Sequence, residues 1–175
     1  MTDQIEVERK WRLLEPPTKE WLSAFPAQRL TQAYILTDPG ELRIRSDGTT
    51  SWMTVKSDGT IARSEWEVEI PAWVFAQLLA ATDHVITKTR YTVPGDMRKW
   101  ELDVYEGALE GLVIVEAEYC IRAGKTEEEL AETLVHIRDS RLYPGFGSAI
   151  EVTDDKRYKN KNLALFGIPN KEEKA

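Results

Sequence analysis

Apolar and polar residues alternate with a period of two over most of the chain, the pattern of strands with two unlike faces. In QIEVERKWRL (4–13), Ile5, Val7, Arg9 and Trp11 fall on one side and Glu6, Glu8, Lys10 and Arg12 on the other. The alternation returns in LTQAYILTD (30–38), ELRIRS (41–46), TSWMTVKS (50–57), TIARSEWEVEI (60–70), HVITKTRYTV (84–93), RKWELDVYEG (98–107) and LEGLVIVEAEY (109–119). Asp38-Pro39-Gly40, Asp47-Gly48, Asp58-Gly59 and Pro94-Gly95 supply turn chemistry between them. Eight strands joined largely by hairpins predict an α+β protein built on a closed antiparallel barrel.

Helical periods break in at a few places. Thr18 can cap a short helix carrying Trp21, Leu22 and Phe25, and Pro71 opens PAWVFAQLLAAT with an apolar stripe of Trp73, Val74, Leu78 and Leu79. In TEEELAETLVHI, Thr126 and Glu129 form a capping box, with acidic residues where the helix dipole favours them. The end of the chain adds a short strand and a short helix near Lys161 to Phe166, and residues 171–175 read as a frayed tail. Without a repeat or linker, 1–170 reads as one domain.

The charged faces are sorted by sign. Glu6, Glu8 and Lys10 share a face of the first strand; Glu101, Asp103 and Tyr105 share one on the seventh, and Glu116 and Glu118 on the eighth. Arg43 and Arg45, Thr54 and Lys56, and Lys88 and Arg90 mark the third, fourth and sixth strands, while the fifth mixes Arg63 with Glu65, Glu67 and Glu69. Like charges at i and i+2 repel unless a cation binds between them or basic groups stand opposite. Carboxylates gathered in this way suit Mg2+ or Mn2+, and Lys and Arg suit an anion rich in oxygens. A barrel with a charged lumen and helices on its apolar outside accommodates both, and a metal-bridged polyphosphate is the ligand it describes.

Composition narrows the classes further. The chain has 175 residues, of which 42% are hydrophobic and 30% charged, in the ordinary globular range. A net charge of −7 argues against broad nucleic-acid binding. One cysteine, Cys120, forms no intrachain disulfide and reads as a small buried residue; with no signal peptide or membrane-spanning run, a cytoplasmic protein is expected. His84 and His136 are isolated from one another and from Cys120, and the tryptophans read as filling the outer packing layer.

The motifs as a set carry a resemblance. ExExK at Glu6, Glu8 and Lys10, with QAY (32–34), LRIR (42–45), TVK (54–56), RSEWEVEI (63–70), KTRY (88–91), WELDVYEG (100–107), VEAEY (115–119) and EVTDDKRYKNKNLA (151–164), resembles the CYTH superfamily, the triphosphate tunnel metalloenzymes. The resemblance covers nearly the whole chain and is nearest in pattern to bacterial inorganic triphosphatases. It implies a tunnel of eight antiparallel strands and dependence on Mg2+ or Mn2+. Carried over by position, Glu6, Glu8, Asp103, Glu116 and Glu118 are implied metal ligands, with Glu101 a further contributor. Lys10, Arg43, Arg45, Lys56, Lys88 and Arg90 are the implied phosphate-binding set.

The resemblance further implies that Lys10 and Tyr34 place or deprotonate a water; an ordinary strand aromatic is the other reading of Tyr34. Arg63, Glu65 and Glu67 either line the site or pair with neighbouring charges. Glu151, Lys156 and Lys159 belong to a segment that resembles the family's closing element, with a place in the site or on the surface as the two readings. The expected reaction is hydrolysis of inorganic triphosphate, with a small-molecule triphosphate as partner and a monomer or homodimer as the assembly. Adenylyl cyclase, thiamine triphosphatase and non-catalytic polyphosphate binding are the alternatives.

Overall fold

The computed structural model describes residues 4–56, 65–95, 99–122, 126–139 and 141–170, and the side chains of all of these except 4–7, 65, 118 and 120–122. The Asp58-Gly59 turn, Arg63 and the 171–175 tail lie outside the described residues, as do the side chains of Glu6, Glu65, Glu118 and Cys120.

All eight expected strands form: β1 (Gln4–Leu13), β2 (Ala27–Leu36), β3 (Glu41–Ser46), β4 (Ser51–Lys56), β5 (Glu65–Ile70), β6 (Val85–Val93), β7 (Lys99–Tyr105) and β8 (Val113–Arg122). The short strand near the end is β9 (Ala149–Glu151). The hydrogen-bonded order is β5-β4-β3-β2-β6-β7-β8-β1-β9. Among the described residues no ladder joins β5 to β9; instead β9 takes up one edge of β1, with Trp11 opposite Glu151 and Leu13 opposite Ala149.

The helices are α1 (Lys19–Leu22), α2 (Ala72–Leu79), α3 (Glu127–Asp139) and α4 (Asn160–Phe166). Thr18 caps α1 by accepting from the N–H of Trp21. The capping box of α3 is made in both directions: Glu129 accepts from the Thr126 N–H at 2.8 Å, and Thr126 Oγ1 accepts from the Glu129 N–H at 3.2 Å. No helix among the described residues is long and apolar enough to cross a membrane.

By internal contacts the chain divides into two compact units. The first comprises Met1–Pro26, Tyr91–Asp103 and Val113–Thr153; the second comprises Ala27–Arg90, Val104–Leu112 and Asp154–Ala175. The division follows the sorting of charge, since the carboxylates of β1, β7 and β8 fall in the first unit and the cations of β3, β4 and β6 in the second.

Within the first unit an aromatic core backs the charged strands. Trp100 lies 5.6 Å from both Trp11 and Phe146, at tilted and edge-on angles that suit the ring quadrupoles. From Val113 to Ala117, β8 is buried on both faces, so Glu116 is a carboxylate 8% exposed in an otherwise apolar stretch. In the second unit Ala33 and Ile44 are fully buried.

Two tryptophans depart from the expected packing layer: Trp66 is 56% and Trp73 70% exposed. α2 packs on β3 and β4, and with successive helical residues about 100° apart its half-buried side carries Val74 and leaves Trp73 exposed. Trp66 stands opposite Val55, itself an exposed strand residue, so each keeps company with an uncovered apolar neighbour.

Candidate active site

In the first unit, the register of β1 against β8 sets Lys10 opposite Glu116 and Glu8 opposite Glu118. Lys10 Nζ lies 2.7 Å from Glu116 Oε1 and 3.1 Å from Glu8 Oε1, bridging two carboxylates that would otherwise repel. Burial disfavours the ammonium, yet Glu116 and Glu8 outweigh it and hold Lys10 above the ordinary lysine value. Glu8 moves the other way: burial and the charge of Glu116 raise its carboxyl, with Lys10 opposing them only in part. The pair is therefore short of positive charge.

That deficit and the all-oxygen donor set fit a hard divalent cation. Of the expected ligands, the structure brings Glu8 and Glu116 together, and Asp103 is fully buried in the same unit. Glu101 is nearly buried and paired with Lys99. Among the described residues no three His, Cys, Asp or Glu side chains stand close enough to form a metal cluster on their own, and the side chains of Glu6 and Glu118 fall outside that set.

In the second unit, cross-strand register builds two rows: Tyr34–Arg43–Thr54–Glu67 and Gln32–Arg45–Trp52–Glu69. Arg43 Nη2 donates to Thr54 Oγ1 at 3.1 Å, and Thr54 donates onward to Glu67 Oε2 at 2.7 Å. Glu67 also reaches Arg43 at 3.5 Å and Arg45 at 3.9 Å, while the Arg45 guanidinium lies 5.0 Å from the centre of the Trp52 ring. These are the contacts of Glu67 that the structure shows, and they are compatible with both of its readings, since Arg43 and Arg45 are themselves candidate site residues. Burial holds Arg45 below the ordinary arginine value, Glu67 working against that effect and Arg43 and Arg90 with it.

The Nε atoms of Arg43 and Arg45 are buried without a hydrogen-bond partner. Buried N–H donors rarely go unmatched, so two on neighbouring guanidiniums point to an oxygen-rich anion as the missing acceptor. Lys88, 1% exposed, lies 5.3 Å from the centre of the Tyr105 ring, whose hydroxyl hydrogen-bonds Asn160 Oδ1 at 2.6 Å at the start of α4. Lys56 and Arg90 are half-buried in the same unit.

Tyr34 is 2% exposed, and its oxygen accepts a hydrogen bond from Gln32 Nε2. Gln32 and Thr54, which the role assignments passed over, hydrogen-bond the candidate residues Tyr34, Arg43 and Glu67, and period two already put Gln32 on the face of Tyr34 and Thr54 on that of Lys56. Glu151 pairs with Arg9, on the face of β1 opposite Lys10.

An antiparallel meander with carboxylates gathered in one unit and arginines and lysines in the other defines the class. The CYTH domain matches residues 4–146, and the chain belongs to that family. It is 41% identical over 165 residues to the inorganic triphosphatase of Nitrosomonas europaea, covering 91% of this chain and 97% of that one. The inorganic triphosphatase of Acetivibrio thermocellus is 33% identical over 136 residues, covering 75% and 77% of the two chains. A crystal structure of an inorganic triphosphatase superposes with a TM-score of 0.64 at 37% identity, over 95% of this chain and 97% of the other.

Proposed function

We propose that this chain is a metal-dependent inorganic triphosphatase, hydrolysing tripolyphosphate to pyrophosphate and phosphate. The observation that carries the reading is the pair of buried, unpartnered Nε–H donors on Arg43 and Arg45 in a chain whose curated relatives are inorganic triphosphatases.

Arg43, Arg45, Lys56, Lys88 and Arg90 bind the phosphate oxygens, the arginines offering planar forks and the lysines point charges. Glu8 and Glu116, with Glu6, Asp103 and Glu118, hold Mg2+ or Mn2+. When bound, the cation neutralises charge on the phosphate oxygens and relieves the repulsion between the carboxylates. A water oxygen attacks the terminal phosphorus in line, the bridging P–O bond breaks with its electrons leaving on pyrophosphate, and the water's proton passes to a phosphate oxygen of the products.

Lys10, which bridges Glu8 and Glu116, acts through its ammonium as a donor that orients the water or an oxygen of the terminal phosphate. Tyr34, with Gln32 donating to its oxygen, is the better polarised to donate its own proton. Glu67 and Thr54 brace Arg43, and Glu67 also holds Arg45.

The test is phosphate release from tripolyphosphate by the folded chain with Mg2+ and, separately, Mn2+. Release with either metal, abolished by chelation and restored on adding the ion back, is expected. No release with either metal overturns the reading.

A further inference from the structure

Arg9 lies on the face of β1 opposite Lys10 and is only 9% exposed. A guanidinium keeps its charge at any physiological pH, so burying it demands acceptors on every side. Arg9 Nε and Nη2 donate in parallel to Glu151 Oε1 and Oε2 at 2.8 and 2.7 Å. Nη1 donates to the Ile137 carbonyl at 2.8 Å, in the last turn of α3 where carbonyls lack helical partners. The guanidinium also lies 4.7 Å from the centre of the Trp11 ring.

From Glu151 the bonds return to the site. Thr153 Oγ1 donates to Glu151 Oε1 at 2.8 Å and accepts from the main-chain N–H of Lys10 at 3.0 Å. The Val152 N–H donates to the Lys10 carbonyl at 2.9 Å. Both main-chain polar groups of Lys10 are thus taken by residues 152 and 153, and the side chain of Arg9 anchors that segment. All of this lies within the first unit, on the side of β1 away from Glu8 and Glu116.

We propose that Arg9, Glu151 and Thr153 are positioning residues for hydrolysis, a clamp behind β1 that fixes the main chain of Lys10 and so the bridge its ammonium makes between Glu8 and Glu116. The proposal rests on the triphosphatase reading. A tenth-of-a-nanometre drift of β1 would move a reacting group's tether without removing any group that touches substrate, which is the loss expected in turnover and not in affinity.

The test compares Thr153→Val, which keeps the shape but loses the hydroxyl, with Thr153→Ser, which keeps the hydroxyl. On samples matched for folding by circular dichroism, two quantities are read: steady-state hydrolysis of tripolyphosphate, and hydrogen exchange of the Lys10 amide by NMR. The Val variant is expected to lose roughly 10- to 100-fold in kcat with KM within about two-fold of wild type. Its Lys10 amide should exchange about 10-fold faster, having lost its acceptor, and the Ser variant should restore both.

Wild-type kcat in the Val variant, or a Lys10 amide that stays protected, overturns the proposal. So does a Ser variant no better than Val. Should the wild-type chain release no phosphate, the triphosphatase reading falls and takes the role in turnover with it; amide exchange then decides the anchoring of Lys10 separately.

Discussion

Replacing Glu67 by Gln keeps the shape of the side chain and an oxygen for the Thr54 hydroxyl, and removes only the charge. In the folded chain that charge answers Arg43 at 3.5 Å and Arg45 at 3.9 Å, both longer than a tight ion pair, from a side chain that is 36% exposed. Pairs of this kind contribute roughly 0.2–1 kcal/mol each, so the two together stabilise the second unit by about 1 kcal/mol. The variant should therefore melt about 2–4 °C lower in the absence of ligand. Binding should move the other way. A phosphate bound to Arg43 and Arg45 takes the place of Glu67, so removing this internal rival leaves about 1 kcal/mol to the ligand, an affinity gain of about five-fold. Thermal melts with and without tripolyphosphate in the presence of chelator, together with calorimetric titration, read both effects at once. A Gln variant that binds tripolyphosphate as weakly as wild type, or more weakly, refutes the competition and makes Glu67 a part of the binding site.

Glu116→Ala should abolish phosphate release while leaving tripolyphosphate affinity within about three-fold of wild type, measured by rapid-quench turnover against equilibrium binding. Lys88→Met keeps the buried volume and removes the charge; KM for tripolyphosphate should rise roughly 10- to 100-fold, the loss of one charge-assisted hydrogen bond, and an unchanged KM would take Lys88 out of the phosphate set. Arg9 holds the Glu151 carboxyl below the ordinary value of 4.5, so this pair's stabilisation is fully present above that pH and is lost as pH falls through the lower folded value. Melting curves between pH 7 and 3 should accordingly show a shallower acid decline for Glu151→Gln than for wild type, and parallel declines would show that the pair is not coupled to folding.

The strands, the turns at Asp38-Pro39-Gly40 and Asp47-Gly48, and the α3 capping box are legible in the sequence because each is fixed by local chemistry: alternation, turn residues, and Thr126 with Glu129. The pairing of Lys10 with Glu8 is legible as well, since they are two apart on one strand. Its pairing with Glu116 is not, because register between β1 and β8 depends on a connection of about a hundred residues, and a slip by one position would have put Glu116 on the wrong face. Arg9 marks the same limit from the other side. Period two assigns it to an apolar face, which is correct, but nothing near it in the chain discloses that Glu151 and the last turn of α3 will meet its guanidinium there. Trp66 and Trp73 fail for a different reason: alternation says which side of an element a residue takes, and says nothing of whether another element covers that side.

The repulsion that first drew attention to the strand faces is met in two ways. In the first unit, Lys10 supplies one positive charge to Glu8 and Glu116, enough to hold the ammonium charged but not enough to bring Glu8 down to its ordinary value. In the second, Glu67 supplies one negative charge to Arg43 and Arg45, and Arg45 stays below its ordinary value with two buried Nε–H donors unmatched. In each cluster the described counter-charge compensates only in part. A fully compensated cluster would gain little from a ligand, since every ion pair formed would replace one already made. Partial compensation keeps the folded chain stable while leaving an acidic set that favours a cation and a basic set that favours an anion, the two components of a metal-bound triphosphate.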